Sequence, residues 1–130
     1  MPYGDGRHAP IAAEDQAQFI AAVLTNPSGH VGKIYPLFGP VEMNHEQVAS
    51  VLTEVLDREI VYAPSTIEEY RKHLKTYNLP EFLIQHFEEV AIDYQNGVFA
   101  GADAVIGQIT GQPPQTVQPF VQANRKALEA

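Results

Sequence analysis

The sequence predicts an α+β fold, a mostly helical lobe carrying one small parallel strand pair. Apolar residues recur at helical spacing in several separate stretches, two short β-prone runs flank one of those stretches, and glycine and proline punctuate the remainder. At 130 residues, 45% of them apolar, the chain is long enough for a single domain with a modest core. Residues 1–130 are therefore read as one folding unit.

The opening, Met1 to Ile11, combines turn residues with an extended stretch, since Pro10 biases Ala9 away from helix. A helix follows from about Glu14 to Leu24, with Ala13, Ala17, Ile20, Ala21 and Leu24 at helical spacing and Asn26-Pro27-Ser28-Gly29 as its stop. Lys33 to Phe38 reads as a strand closed by Gly39-Pro40. Asn44 with Gln47 three residues on is a capping-box pattern, and Val48, Val51, Leu52, Val55 and Leu56 form the apolar face of the helix it starts. Glu59 to Tyr62 is a second strand. Strand, helix, strand at this spacing favours a parallel pair with a right-handed crossover.

Ser65 with Glu68 predicts a third helix with a stripe of Ile67, Tyr70, Leu74 and Tyr77. A fourth starts at Pro80, where proline is tolerated, and its stripe is Phe82, Leu83, His86, Phe87, Val90, Ala91 and Tyr94. Gly97 ends it. An apolar loop, Val98-Phe99-Ala100-Gly101, precedes a short helix from about Asp103 to Ile109. Gly111-Gln112-Pro113-Pro114 then breaks the chain, and Thr116 caps a last helix carrying Val117, Phe120, Val121 and Leu128.

Composition removes several function classes. The net charge is −8, and nucleic-acid binding, dominated by phosphate neutralisation, is not expected. With no cysteine, disulfides, thiolate catalysis and sulfur-based zinc sites are excluded. No apolar run approaches the roughly 20 residues of a membrane span, and Met1 to His8 is polar where a signal peptide is apolar. A cytoplasmic protein is expected.

The motifs mostly dissolve on inspection. Gly4-Asp5-Gly6-Arg7-His8-Ala9 matches the G-x-G-x-x-A variant of the dinucleotide fingerprint, but that motif needs a strand before it and a helix after it to hold pyrophosphate. Only three residues precede Gly4 and Pro10 follows Ala9, so a glycine turn is expected instead. His45-Glu46 begins like a zinc helix, but Ala49 stands where the second histidine belongs, so no metal is expected and His45 is placed in an exposed first turn. His86 lies on the apolar stripe of its helix and reads as a hydrogen-bonded core residue. The basic run Arg71 to Lys75 reads as a solvated face. No nucleophile elbow is present, and no tyrosine is followed four residues later by lysine, so the proton-donor pair of ordinary short-chain dehydrogenases is absent.

Four segments together carry a resemblance. They are Gly4-Asp5-Gly6-Arg7 running on to Asp15-Gln16-Ala17, Gly32 to Pro40, the capped helix ending Glu54-Val55-Leu56-Asp57-Arg58, and Thr110-Gly111-Gln112-Pro113-Pro114-Gln115-Thr116 with Phe120-Val121. In this order the chain resembles the C-terminal portion of NmrA-like NAD(P)-binding proteins. These are atypical short-chain dehydrogenase/reductase relatives that include NAD(P)H-dependent quinone and azo-dye reductases and redox-sensing regulators. The resemblance implies that 1–31 is a remnant of the Rossmann-side strand and helix, the helix headed by Asp15, and that 32–130 is the small lobe closing over substrate. It also implies that the N-terminal Rossmann half is missing as a block, either in a natural short reading frame or in a truncated gene.

The function implied is the substrate-binding portion of an NAD(P)H-dependent oxidoreductase of quinone or azo type, not catalytic alone. NAD(P)H is the cofactor of full-length relatives, and none is expected on this chain by itself. No catalytic residue is assigned. The candidate pocket residues are His8, His86, Tyr94, Val98, Phe99 and Asp103, chosen because loops between rigid elements commonly line sites. The alternative is a binding or regulatory module docking onto a cofactor-bearing partner. A weaker one is a cofactor-free isomerase or hydrolase acting through His86 and Asp93. Phe19, Ile20, Val23 and Leu24 spread apolar side chains over more of the first helix than a small lobe can bury, and so predict a two-fold homodimer or a partner subunit.

Overall fold

The computed structural model describes residues 1–129. Seven helices and one short strand pair are present among them: β1 (Arg7–His8), α1 (Ala13–Thr25), β2 (Met43–Asn44), α2 (His45–Leu56), α3 (Ile67–Lys75), α4 (Glu81–Gln95), α5 (Val105–Thr110), α6 (Val117–Ala123) and α7 (Arg125–Leu128). The helices pack as three pairs, α1 with α5, α2 with α6 and α3 with α4.

The expected parallel pair is not formed. Among the described residues the sheet is antiparallel and joins other segments, with Arg7 opposite Asn44 and His8 opposite Met43. Local chemistry explains why the β-prone runs stay out of it. Pro36 removes a ladder donor from 33–38, which keeps one backbone bond near its end, from Gly39 N to Ala9 O at 3.0 Å. In the second run the Ile60 backbone is used by a side chain of α2: its N–H donates to Thr53 Oγ1 at 2.9 Å, and that hydroxyl donates back to Ile60 O at 3.2 Å.

Helix starts follow the sequence closely. In α2, Asn44 Oδ1 accepts from Gln47 N at 2.9 Å while Gln47 Oε1 accepts from Asn44 N at 3.0 Å. The α3 box lies one residue beyond the expected one: Thr66 Oγ1 accepts from Glu69 N, and Glu69 Oε2 accepts from Thr66 N at 2.8 Å. Ser65 instead donates its N–H to Met1 O. At the far end of α2, Asp57 is left-handed, and Arg125 from the start of α7 donates to Val55 O at 2.9 Å, satisfying a free carbonyl.

The faces the helices bury differ in part from their sequence stripes. In α2 the expected face is the buried one, and Val55 and Leu56 meet Val121 in a core flanked by Val51, Leu52, Ile60 and Val117. In α4 five of the seven expected residues, Leu83, Phe87, Val90, Ala91 and Tyr94, are buried or half-buried; Ile84, only 2% exposed, and Glu88 join them, whereas Phe82 is 73% exposed. His86 is exposed and touches Phe87, so it is not a core histidine. Arg71 of α3 lies half-buried between Glu81 and Glu88, which holds the Glu88 side of α4 against α3 and removes Arg71 from the solvated face expected for it.

In α1 the spacing Ala13, Ala17, Ile20, Ala21, Leu24 is a true helical stripe, but it faces outward, and Leu24 is 73% exposed. Phe19 lies on the opposite face, 6% exposed and edge-on to Tyr35 at 5.4 Å. It therefore belongs to the core and not to the exposed patch expected of it. Asp15, also buried, accepts the Gln115 N–H at 2.8 Å and ties the head of α1 to the Gln112–Thr116 loop.

Candidate functional site

The short sheet brings two histidines together. His8 ends β1 opposite Met43, and His45 follows β2 as the first residue of α2, so their rings lie 5.2 Å apart. His45 stacks on Tyr3 at 4.8 Å and on Tyr62 at 5.2 Å, and Tyr94 closes edge-on against His8 at 5.4 Å. Tyr62 Oη donates to Met1 O at 2.9 Å and accepts from Tyr3 N, which holds the N-terminal segment over the pair. Gly6 is required beneath Tyr94: a Cβ there would sit 2.4 Å from the Tyr94 carbonyl oxygen.

Arg7, between the turn and His8, fixes the register. Its Nε donates to Glu42 Oε1 at 2.8 Å, and Glu42 Oε2 accepts the Gly101 N–H at 2.6 Å. These bonds, that from Arg7 first, hold the Glu42 carboxyl below its usual range.

Beside the pair opens a cavity of about 300 Å³ between α2 and α6, walled by Ile11, Val48, Leu52, Val117 and Phe120, with His8, His45, Gln115 and Thr116 as its polar lining. Among the described residues no Lys, Arg, Asp or Glu lines it. The Nδ1 atoms of His8 and His45 are both buried without a hydrogen-bond partner among the described residues. Burial lowers the pKa of His8, and for His45 burial is joined by the neighbouring His8 and the N-terminal ammonium, so both favour the neutral imidazole. Such a site can enclose an apolar molecule and offer it one or two uncharged hydrogen-bonding groups.

Of the sequence candidates, His8 lines the cavity and Tyr94 and Phe99 stand behind it, their rings 4.7 Å apart. The other three fall elsewhere. His86 and Val98 are exposed, and Asp103 accepts the Val105 N–H at 3.1 Å as a local turn at the start of α5. His45, expected in an exposed turn, is the residue that was missed. Its signal was present: Val48 and Leu52 follow it at three and seven residues, placing it on the apolar face of α2. Among the described residues no three His, Asp or Glu side chains are grouped to hold a metal ion.

The glycine motif lacks the setting of a dinucleotide loop. The Gly4–Gly6 turn, closed by Gly6 N to Tyr3 O at 2.9 Å, leads into β1 and not into a helix whose amides would face a pyrophosphate.

No protein-family model matches the chain. It is 29% identical over 130 residues to an NAD(P)H azoreductase of Xenophilus azovorans, covering 100% of this chain and 45% of the azoreductase. Its relatives include NAD(P)H-dependent reductases. Quinone oxidoreductase 2 of Escherichia coli is 25% identical over 118 residues, 91% of this chain and 41% of its own. The fold of the NADPH-dependent quinone oxidoreductase of that organism, solved with NADPH, superimposes with a TM-score of 0.81 at 24% identity, over 94% of this chain and 43% of that one. A nucleoside-diphosphate-sugar epimerase from Staphylococcus aureus gives a TM-score of 0.79 at 28% identity, over 93% and 42%. The chain thus spans less than half the length of these relatives. It is similar in sequence and fold to a C-terminal portion of NAD(P)-binding, NmrA-like proteins. No helix is long and apolar enough to cross a membrane among the described residues.

Proposed function

We propose that this chain is the acceptor-binding lobe of an NAD(P)H-dependent reductase of quinone or azo type, and that its cavity between α2 and α6 receives the acceptor. One observation carries the reading: among the described residues, an apolar cavity without Lys, Arg, Asp or Glu meets two half-buried imidazoles at one end, and their burial favours the neutral form. A flat, uncharged carbonyl or azo compound matches that lining, because its body replaces water against Val48, Leu52 and Phe120 while its heteroatoms accept from the histidines. The lobe binds and orients the acceptor and excludes water. Hydride chemistry belongs to the nicotinamide cofactor.

Residues 1–130 form one unit on this reading, with 1–31 as its Rossmann-side edge. The outward stripe of α1 (Ala13, Ala17, Ile20, Ala21, Leu24) is the surface on which a cofactor-bearing unit rests, since small and aliphatic residues permit close helix approach and an exposed stripe of this size marks an interface. Two copies of a chain carrying −8 repel one another, which favours such a unit over a homodimer.

Titration with an uncharged quinone, followed by the ring-proton resonances of the five histidines, tests the acceptor site. His8 and His45 should shift saturably and His86 should not. Shifts at His86, or none at His8 and His45, refute it.

A further inference from the structure

Among the described residues the cavity is lined by two titratable side chains, His8 and His45, whose rings lie 5.2 Å apart with no carboxylate in the lining. From that arrangement we infer that the cavity selects its ligands by charge: it takes an uncharged planar molecule directly, and an anionic one only together with a single proton lodged on the His8–His45 pair. The inference deepens the proposed acceptor site and rests on it.

An anion entering this cavity leaves water for a wall of Ile11, Val48, Leu52, Val117 and Phe120, with no lysine or arginine to receive it. An unpaired charge in such surroundings is strongly disfavoured. The available remedy is to protonate an imidazole, which supplies a positive charge and a second N–H donor. The Nδ1 atoms, buried and without a hydrogen-bond partner among the described residues, are free to carry a proton. Only one proton is taken up, because at 5.2 Å between rings a second positive charge would be repelled by the first.

The surrounding groups leave the pair as the titrating element. Tyr3 and Tyr62 face His45 and Tyr94 faces both rings, all uncharged phenols in this range, with burial raising Tyr62 and Tyr94 further. The Met1 ammonium acts on His45 from the N-terminal segment and opposes its protonation. Arg7 of β1 is engaged by Glu42, so neither supplies a free charge to the cavity.

The test compares two ligands of one shape, anthraquinone sulfonamide and anthraquinone sulfonate, by calorimetric titration at about pH 7.5 and about pH 5.5, either side of the ordinary imidazole value. The sulfonate stays ionised at both, so only the protein titrates. The sulfonamide should bind with the same affinity at both. The sulfonate should bind at least about tenfold more tightly at the lower pH, and buffers of different ionisation heat should report uptake of about one proton per molecule bound. Replacing His8→Asn and His45→Asn together should abolish the uptake and the pH dependence of whatever sulfonate binding is left, with far-ultraviolet circular dichroism showing that the variant is folded. Sulfonate binding that is independent of pH, or whose pH dependence survives in the double variant, overturns the inference and leaves the acceptor site standing. Failure of both ligands to bind at either pH removes the acceptor site and the inference together.

Discussion

Replacing Phe19 by alanine tests how α1 is set in the fold. Its ring is 6% exposed and lies edge-on to Tyr35, on the face of α1 opposite the exposed stripe. Burying a side chain of this size removes on the order of 150–250 Å² from water, which at about 25 cal/mol per Å² is roughly 4–6 kcal/mol as an upper bound. Truncations of buried aromatics cost about 3–5 kcal/mol. Against a total stability of about 5–15 kcal/mol for a domain, Phe19→Ala should remove roughly a fifth or more. Urea unfolding should show the midpoint falling by roughly 2–3 M, with the slope unchanged. Ile20→Ser, one residue on and mostly exposed, should stay within about 0.5 kcal/mol. A Phe19→Ala midpoint within error of the unsubstituted chain, or an Ile20→Ser loss as large as that of Phe19→Ala, would mean that α1 is turned the other way.

Other outcomes follow from the same structure. Folding holds His8 and His45 below the ordinary imidazole value of 6.5, so the unfolded chain binds more protons just below that value and stability falls as pH drops through it. Thermal melts from pH 8 downward should show this decline beginning near 6.5, and His8→Asn with His45→Asn should flatten it; a decline unchanged in the double variant refutes the assignment. Glu42 and Glu69 are held below 4.5 by hydrogen bonds from Arg7 and Thr66 respectively, so a separate loss should begin under that pH and persist in the histidine variant. Asn44→Ala removes the side-chain half of the α2 capping box and should cost about 1 kcal/mol in urea; no measurable change would show that the cap does not support α2. Ile84→Ala should cost about 2–5 kcal/mol, and Phe82→Ala, on the exposed side of α4, within about 0.5 kcal/mol; the reverse order in unfolding midpoints refutes the placement of Ile84 in the core and Phe82 outside it.

What the sequence determined by itself was local. The Asn44–Gln47 box, the stop at Gly97, whose φ is +75°, and the break after Thr110 at left-handed Gly111 involve groups within a few residues of one another, so the chain specifies them before it folds. The family resemblance was legible for a related reason: it rests on the order of short segments. The buried face of α2 could also be read, because its other side is polar. Only the tertiary structure decided the rest. α1 is apolar on two sides, and its period cannot say which side meets the core; packing against α5 chose Phe19 and left Ile20 and Leu24 outside. The burial of Glu88 on the fourth helix came from the placement of Arg71 between Glu81 and Glu88, an interaction between helices that no stripe encodes. The site itself depends on pairing His8 with Met43 across the chain, which sets His45 beside His8 and beside aromatic rings from three other segments. A two-residue strand pair has almost no local signal, because its register is fixed by Glu42 holding Arg7 and Gly101 together and not by the residues that pair.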